Sequence, residues 1–200
     1  MKIGRVEAVG CGNAMRVVSV NVSLPKTVVW QGRRVTTAIF KEPVDGRVRI
    51  QRTGLTGDRQ ADPSVHGGPT KAVYAYPSEH YPFWRRELAR TDLPWGSFGE
   101  NLTTEGLSEE TVRIGDRVRV GSAILTVTQP RLPCYKLGVR FGRLDMVRRF
   151  LASGRSGFYF AVVEPGDVAA GDPIEFLGGN AAKPTISQIV DEVRQEEPGE

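Results

Sequence analysis

The sharpest chemical candidate in this 200-residue chain is Cys134, set in Gln129-Pro130-Arg131-Leu132-Pro133-Cys134-Tyr135-Lys136. Prolines stiffen this stretch. Arg131 and Lys136 favour the thiolate, the form that attacks electrophiles and binds metals. The competing reading is a small buried hydrophobe, the ordinary fate of a cysteine, and local context leaves both open. Cys11, the other cysteine, sits between Gly10 and Gly12 with no charged neighbour within three residues, and reads as structural. A second constellation runs from Thr53 through Gly57-Asp58-Arg59-Gln60-Ala61-Asp62 to His66-Gly67-Gly68 and Lys71. Its glycines let backbone N–H groups approach a ligand closely. Asp58 and Asp62 suit the ring nitrogens of a heterocycle, while His66 and Lys71 suit an anion or a proton transfer. Against this, Gly-rich polar stretches between strands are often only loops. Glu100-Asn101, after Phe98-Gly99, is a third candidate, with the glutamate either a general acid or a turn cap. Trp84 and Trp95 read as packing aromatics.

Charge is unevenly spread along the chain. Lys and Arg number 27 against 23 Asp and Glu, a formal net charge of +4. Arg131, Lys136, Arg140, Arg143, Arg148, Arg149 and Arg155 are opposed in their stretch by Asp145 alone. Such a cluster around a cysteine implies an anionic partner. Two cysteines and 2 histidines exclude a disulfide scaffold and multi-histidine or multi-cysteine metal sites. The sequence has no P-loop, no complete dinucleotide fingerprint, no nucleophile elbow and no H-E-x-x-H. The longest stretch free of Asp, Glu, Lys and Arg, Val120–Pro130, is too short for a membrane span, which needs about 20 residues. Lys2, Arg5 and Glu7 interrupt any secretory signal, so a reduced, cytoplasmic protein is expected.

The elements that must position these residues are mostly strands. Met15–Ser23 alternates Val18, Val20 and Val22 with polar residues, the period of a half-buried strand. Val28–Trp30 and Val35–Phe40 flank a hairpin turn at Gln31-Gly32-Arg33-Arg34. Further β-rich runs are 47–52, 72–76, 101–103, 117–120, 124–128, 158–163 and 174–177. Many short strands predict a mostly β chain forming a closed or partly closed barrel, because closure removes exposed edges. Three peripheral helices are predicted, at 81–90, 144–152 and 186–194. The last carries Ile186, Ile189, Val190 and Val193 on one stripe, with a Thr185/Gln188 capping box. Residues 1–178 read as the barrel domain, and 179–200 as a linker, this helix and an acidic end. The stripe is expected to pack on the barrel or on a second copy of the chain, as in a homodimer.

The motifs of Gly57–Asp62, His66-Gly67-Gly68 with Lys71–Tyr76, Phe98–Leu102, Ile114-Gly115-Asp116 and Pro130–Leu137 occur in one order. Together they resemble the MOSC domain, found at the C-terminus of molybdenum-cofactor sulfurases, and in particular its small stand-alone bacterial branch of the YiiM type. The resemblance runs from about Arg16 to Leu177. A small C-terminal helical module of that branch is represented here only by Thr185–Arg194.

The resemblance implies a mostly β barrel and a cysteine, matched by Cys134, that ligates molybdenum or takes part in sulfur transfer. It implies molybdenum-dependent reduction of N-hydroxylated compounds, such as base analogues of the 6-hydroxylaminopurine type, to amines. The expected cofactor is the molybdenum-bearing pyranopterin; pyridoxal phosphate is not expected. Cys134 is the metal ligand in this reading, with His66 and Glu100 as proton donors. The cofactor-binding set is Thr53, Asp58, Asp62, Gly67, Gly68, Lys71, Asn101, Arg131, Lys136 and Arg155. A soft thiolate suits molybdenum, and the basic cluster suits a phosphate. Because no flavin, haem or iron–sulfur motif is present, electrons are expected from a separate flavoprotein-type donor. The rival reading is a carrier of sulfur or cofactor with a Cys134 persulfide. Nucleic-acid binding ranks last, since the basic cluster lacks interleaved aromatics beyond Tyr135 and Phe141.

Overall fold

The computed structural model describes residues 14–61 and 67–196. Thirteen strands follow in chain order: β1 (Arg16–Val22), β2 (Lys26–Trp30), β3 (Arg33–Thr37), β4 (Glu42–Pro43), β5 (Val48–Gln51), β6 (Gly54–Leu55), β7 (Val73–Pro77), β8 (Leu102–Glu105), β9 (Arg117–Val120), β10 (Ala123–Pro130), β11 (Phe158–Glu164), β12 (Gly166–Val168) and β13 (Ile174–Gly178). Four α-helices accompany them: α1 (Tyr81–Glu87), α2 (Tyr135–Phe141), α3 (Met146–Ser153) and α4 (Ile186–Glu196). Eight strands share one sheet in the order β13-β9-β10-β11-β7-β8-β1-β4. Its pairings are antiparallel except β7 with β8. A parallel pair needs a crossover, and the segment carrying α1 supplies it.

The mostly β expectation is met, but the barrel is corrected: no sheet closes on itself among the described residues. The two flanks of the large sheet touch at one bridge, Arg16 with Pro173, beside the hydrogen bond from the Val17 N–H to the Asp172 carbonyl at 2.9 Å. The β2–β3 hairpin stands apart as a two-stranded sheet. Its turn residues Gln31 and Gly32 have φ of 50° and 73°, the mirror-image turn that suits strand twist. Strands β5, β6 and β12 form a third small sheet.

Two apolar clusters hold these layers. Inward residues of the large sheet, among them Val17, Val20, Leu125, Phe158 and Phe160, form the first. The expected alternation of β1 is corrected: a register shift between Val17 and Ser19 buries Ser19 and Asn21, while Val18 and Val22 are only half-buried. The second is aromatic, with Tyr76, Tyr81, Trp84, Phe98 and Phe150 packed around α1 and α3. Trp84 donates its indole N–H to the Tyr76 hydroxyl at 2.7 Å, which satisfies a buried donor. Helix α4 joins the first cluster through Ile186 and Val190 instead of hanging from the domain as an appendage. Its capping box is formed: Thr185 N–H donates to Gln188 Oε1 at 2.8 Å, and Gln188 N–H donates to Thr185 Oγ1 at 3.2 Å. No helix among the described residues is long and apolar enough to cross a membrane.

Candidate active site

Strand β10 ends at Pro130, and the chain turns through Arg131–Pro133 before α2 starts at Tyr135. Cys134 is therefore the residue that caps α2, in extended conformation at φ −127° and ψ 170°. Its half-buried side chain lines a cleft of about 630 Å³ of empty space, open mouth included. Asp58, Arg59, Gln60 and Ala61 form part of the wall, and Lys71, Asn101, Arg131 and Lys136 are also in it. The Gly-rich segment and the cysteine loop, over sixty residues apart in sequence, thus share one cavity. Thr37, Ile39, Lys41, Tyr74, Gly99 and Tyr159 also line it. Gly99 has φ of +83°, and a Cβ there would lie 3.0 Å from Ile39 Cγ1, so a side chain would be both strained and crowded.

Arg131 is 6% exposed and its Nη1 has no hydrogen-bond partner among the described residues. Its guanidinium carbon lies 5.5 Å from the centroid of Tyr74 and 5.1 Å from that of Phe150. Burial works against its charge, but Tyr74, Tyr159 and Cys134 around it act the other way, leaving its pKa above the ordinary value. Burial likewise raises Tyr159, against the opposing effect of Arg131, so this hydroxyl keeps its proton at neutral pH. Asp58 holds its own loop in place. Its Oδ1 accepts from Ser23 N–H at 2.8 Å and from Lys41 Nζ, and its Oδ2 accepts from Asn101 Nδ2 at 2.9 Å. Asn101 in turn accepts from Tyr74 N–H at 3.1 Å. Burial lowers the pKa of Lys41, with the Asp58 carboxylate acting against the shift.

Several candidates lie elsewhere. Glu100 is fully buried outside the cleft lining. Its oxygens accept from Gly96 N–H at 2.8 Å, Phe98 N–H at 3.0 Å, Thr103 Oγ1 at 3.0 Å and the Tyr81 hydroxyl. That saturation ties down the 96–100 turn and corrects its reading as a proton donor in the site. Thr53 is exposed in the tight turn between β5 and β6 and does not line the cleft. Arg155 is also outside it, with its guanidinium 3.8 Å from the Phe83 ring centroid and its Nη1 donating to the Ser153 carbonyl at 3.0 Å. Gly67 and Gly68 precede the 3-10 turn Pro69–Lys71, with Gly68 at φ 91°, and neither lines the cleft. Asp62 and His66 lie outside the described residues, as does Cys11. His80, the other histidine, is bound to Glu109, with Nε2 to Oε2 at 2.9 Å.

Sequence reasoning missed Lys41, Tyr74 and Tyr159. Lys41 follows an ordinary strand and carries no local signal, whereas Tyr159 lies in a run read only as a strand and Tyr74 in a motif to which no site role is given.

Among the described residues, the lining carries five cations, Lys41, Arg59, Lys71, Arg131 and Lys136, against one carboxylate, Asp58. No three of His, Cys, Asp and Glu gather as a metal-binding group among the described residues. One soft donor in a cationic cleft, with an arginine nitrogen still lacking an acceptor, fits an anionic cofactor that brings its own metal ligands.

The MOSC domain family matches residues 62–175, and the chain belongs to that family. Within it, the relatives are of the YiiM type. The chain is 47% identical over 161 residues to the uncharacterized protein YflK of Bacillus subtilis (strain 168), covering 80% of this chain and 72% of YflK. It is 43% identical over 143 residues to protein YiiM of Escherichia coli (strain K12), covering 70% of this chain and 64% of YiiM. A protein of Gibberella moniliformis named reductase is 41% identical over 149 residues, covering 73% of this chain but 26% of the fungal protein. The crystal structure of YiiM from Geobacillus stearothermophilus superposes with a TM-score of 0.75 at 34% identity, covering 92% of this chain and 86% of that one.

Proposed function

We propose that this chain is a molybdenum-cofactor-dependent reductase that converts N-hydroxylated compounds, such as hydroxylamino bases, to amines. The observation that carries the reading is the buried Arg131 guanidinium, its Nη1 lacking an acceptor, in the same cleft wall as Cys134. A buried donor left unmade costs about 1–3 kcal/mol, a penalty that an anion reaching this guanidinium would relieve. The fungal relative's name supports a reductive role. When bound, the cofactor supplies a two-electron redox centre able to take oxygen from nitrogen. Cys134 would be its protein thiolate, and Arg131, Lys71 and Lys136 would meet its phosphate.

The balance is R–NHOH plus two electrons and two protons giving R–NH2 and water. The N–O bond breaks, and the electrons come from a separate flavoprotein donor. Tyr159, whose hydroxyl stays protonated, and Lys71 bring protons to the cleft wall. His66 keeps the proton-donor role proposed from sequence. The Ile39 and Tyr74 side chains give the cleft an apolar flank that suits a planar base.

Metal and pterin analysis of protein produced in a cofactor-sufficient host tests the reading. Stoichiometric molybdenum with pterin is expected; no molybdenum together with cyanide-releasable sulfur would make the chain a sulfur carrier instead. Cys134→Ser should lose molybdenum and hydroxylamine reduction while unfolding within about 1 kcal/mol of the parent, because the volume change is small but a hydroxyl is a poor soft-metal ligand. Full activity in that variant would remove Cys134 from the site.

A further inference from the structure

A second groove, of about 1160 Å³ of empty space, lies between the β2–β3 hairpin and the α2–α3 pair. Trp30 and Val147 line it together with Tyr135 and Leu144, which are 56% and 70% exposed. Among the described residues, its charged lining residues are Arg33 and Arg34, with no carboxylate. Neither arginine forms an ion pair among the described residues, whereas Arg47, Arg119 and Arg143 each hold a carboxylate. Exposed Tyr135 and Leu144 beside half-buried Trp30, with unmatched arginines at their side, are the composition of a protein-binding surface.

The groove and the cleft share their supporting elements. Helix α2 begins immediately after Cys134, and β3 ends at Thr37, the first residue of the 37–41 segment in the cleft wall. A protein seated in the groove therefore abuts both elements that frame the cysteine.

We propose that this groove docks the electron donor, an acidic flavoprotein domain whose carboxylates meet Arg33 and Arg34 and whose apolar contact covers Tyr135 and Leu144. The inference rests on the reductase reading, since each N–O cleavage consumes two electrons that the residues of this chain do not supply. Charge complementarity selects the acidic partner and makes the encounter sensitive to salt.

The test titrates flavodoxin, as an acidic flavoprotein probe, against the full chain. Binding at low salt is expected to weaken at least about tenfold in Arg33→Glu/Arg34→Glu, and similarly in about 0.5 M salt. Arg52→Glu/Arg117→Glu, with the same change in net charge away from the groove, should stay within about twofold. Leu144→Asp should weaken binding without touching the arginines. With reduced methyl viologen as electron source, the Arg33/Arg34 variant should turn over like the parent while its flavodoxin-driven rate falls. Absence of salt-sensitive binding, or equal loss in both double variants, overturns the docking surface. So does parent self-association abolished by the groove variants, which would make the face an interface between copies. No turnover by the parent with methyl viologen would instead sink the reductase reading, leaving the binding titration to stand on its own.

Discussion

Around Glu100, two backbone N–H groups and two hydroxyls converge on one carboxylate. Around Arg131, aromatic rings surround a guanidinium whose Nη1 meets no acceptor among the described residues. Both side chains are buried. The difference separates two uses of buried charge. A saturated group spends its interactions on holding the chain, as Glu100 does for the turn that places Gly99 and Asn101 at the cleft. A group left short of partners carries an energetic debt that a ligand can cancel. The Lys41–Asp58 pair lies between these cases: it is buried and paired, with Asp58 further held by Ser23 and Asn101, yet it lines the cleft.

The largest effect should come from breaking the saturated case. Glu100→Ala leaves Gly96 N–H, Phe98 N–H, Thr103 Oγ1 and the Tyr81 hydroxyl without their acceptor. Each orphan costs about 1–3 kcal/mol, with partial relief by water, so a loss of roughly 3–5 kcal/mol in urea denaturation is expected. A loss under about 1 kcal/mol would show that the carboxylate was not holding the turn.

Next in size is Lys41→Met, which strands the Asp58 carboxylate in a site 7% exposed. Breaking one partner of a buried pair costs about 3 kcal/mol, less here because Ser23 and Asn101 still donate to Asp58. Lys41→Met/Asp58→Asn should recover part of that loss, since no buried charge then remains. If the double variant is no more stable than the single one, the two side chains are not coupled as a pair.

Much of this arrangement was legible before any coordinates, and the failures have a common cause. Strand positions follow from the β-rich runs: 117–120 has its expected bounds, and 16–22 lies within one residue of them at either end, but the irregularity at Val17–Ser19 upsets the expected alternation of faces in β1. The capping box of α4 was also readable, because it depends on local chemistry alone. Barrel closure was not, since it depends on how far a sheet's flanks twist toward each other, which strand count leaves undetermined. Helix α2 is not among the predicted helices, because Tyr135–Phe141 holds Gly138 in its middle and its apolar residues Leu137, Val139 and Phe141 recur every second position. The role of Glu100 was misread for a related reason. A carboxylate beside a glycine looks equally like an acid in a site and like an anchor, and only the donors around it decide. Lys41 gave no signal because its partner lies 17 residues away.

The pH dependence offers a finer probe of the saturated case. Burial holds the Glu100 carboxyl above its ordinary range, against the hydrogen bonds that favour the charged form. Because the folded state then binds this proton more tightly than the unfolded chain, the contribution is fully present below the unfolded value of about 4.5 and declines as pH rises through the folded value. Unfolding free energy of the parent, relative to Glu100→Gln, should therefore fall with rising pH across that window, by at most about 1.4 kcal/mol per pH unit. A difference that rises with pH instead would mean that the four donors outweigh burial.

The smallest expected change in stability belongs to Arg131→Met, and it bears most directly on the comparison. Methionine fills much of the same volume among Tyr74, Phe150 and Tyr159 and brings no charge to desolvate. What is lost is ring–cation attraction, about 0.5–1 kcal/mol or somewhat more per contact when buried. What is gained is relief of the desolvated guanidinium and its unmatched Nη1, of similar size and opposite sign. The two should cancel to within about 1 kcal/mol in the ligand-free protein, although Glu100→Ala, at a comparably buried charge, does not cancel at all. Molybdenum content after purification should nevertheless drop at least about tenfold, since about 1.4 kcal/mol of lost anion contact already gives that factor. If Arg131→Met unfolds several kcal/mol more easily and keeps its metal, Arg131 is a second Glu100, a charge that holds the fold and not a ligand.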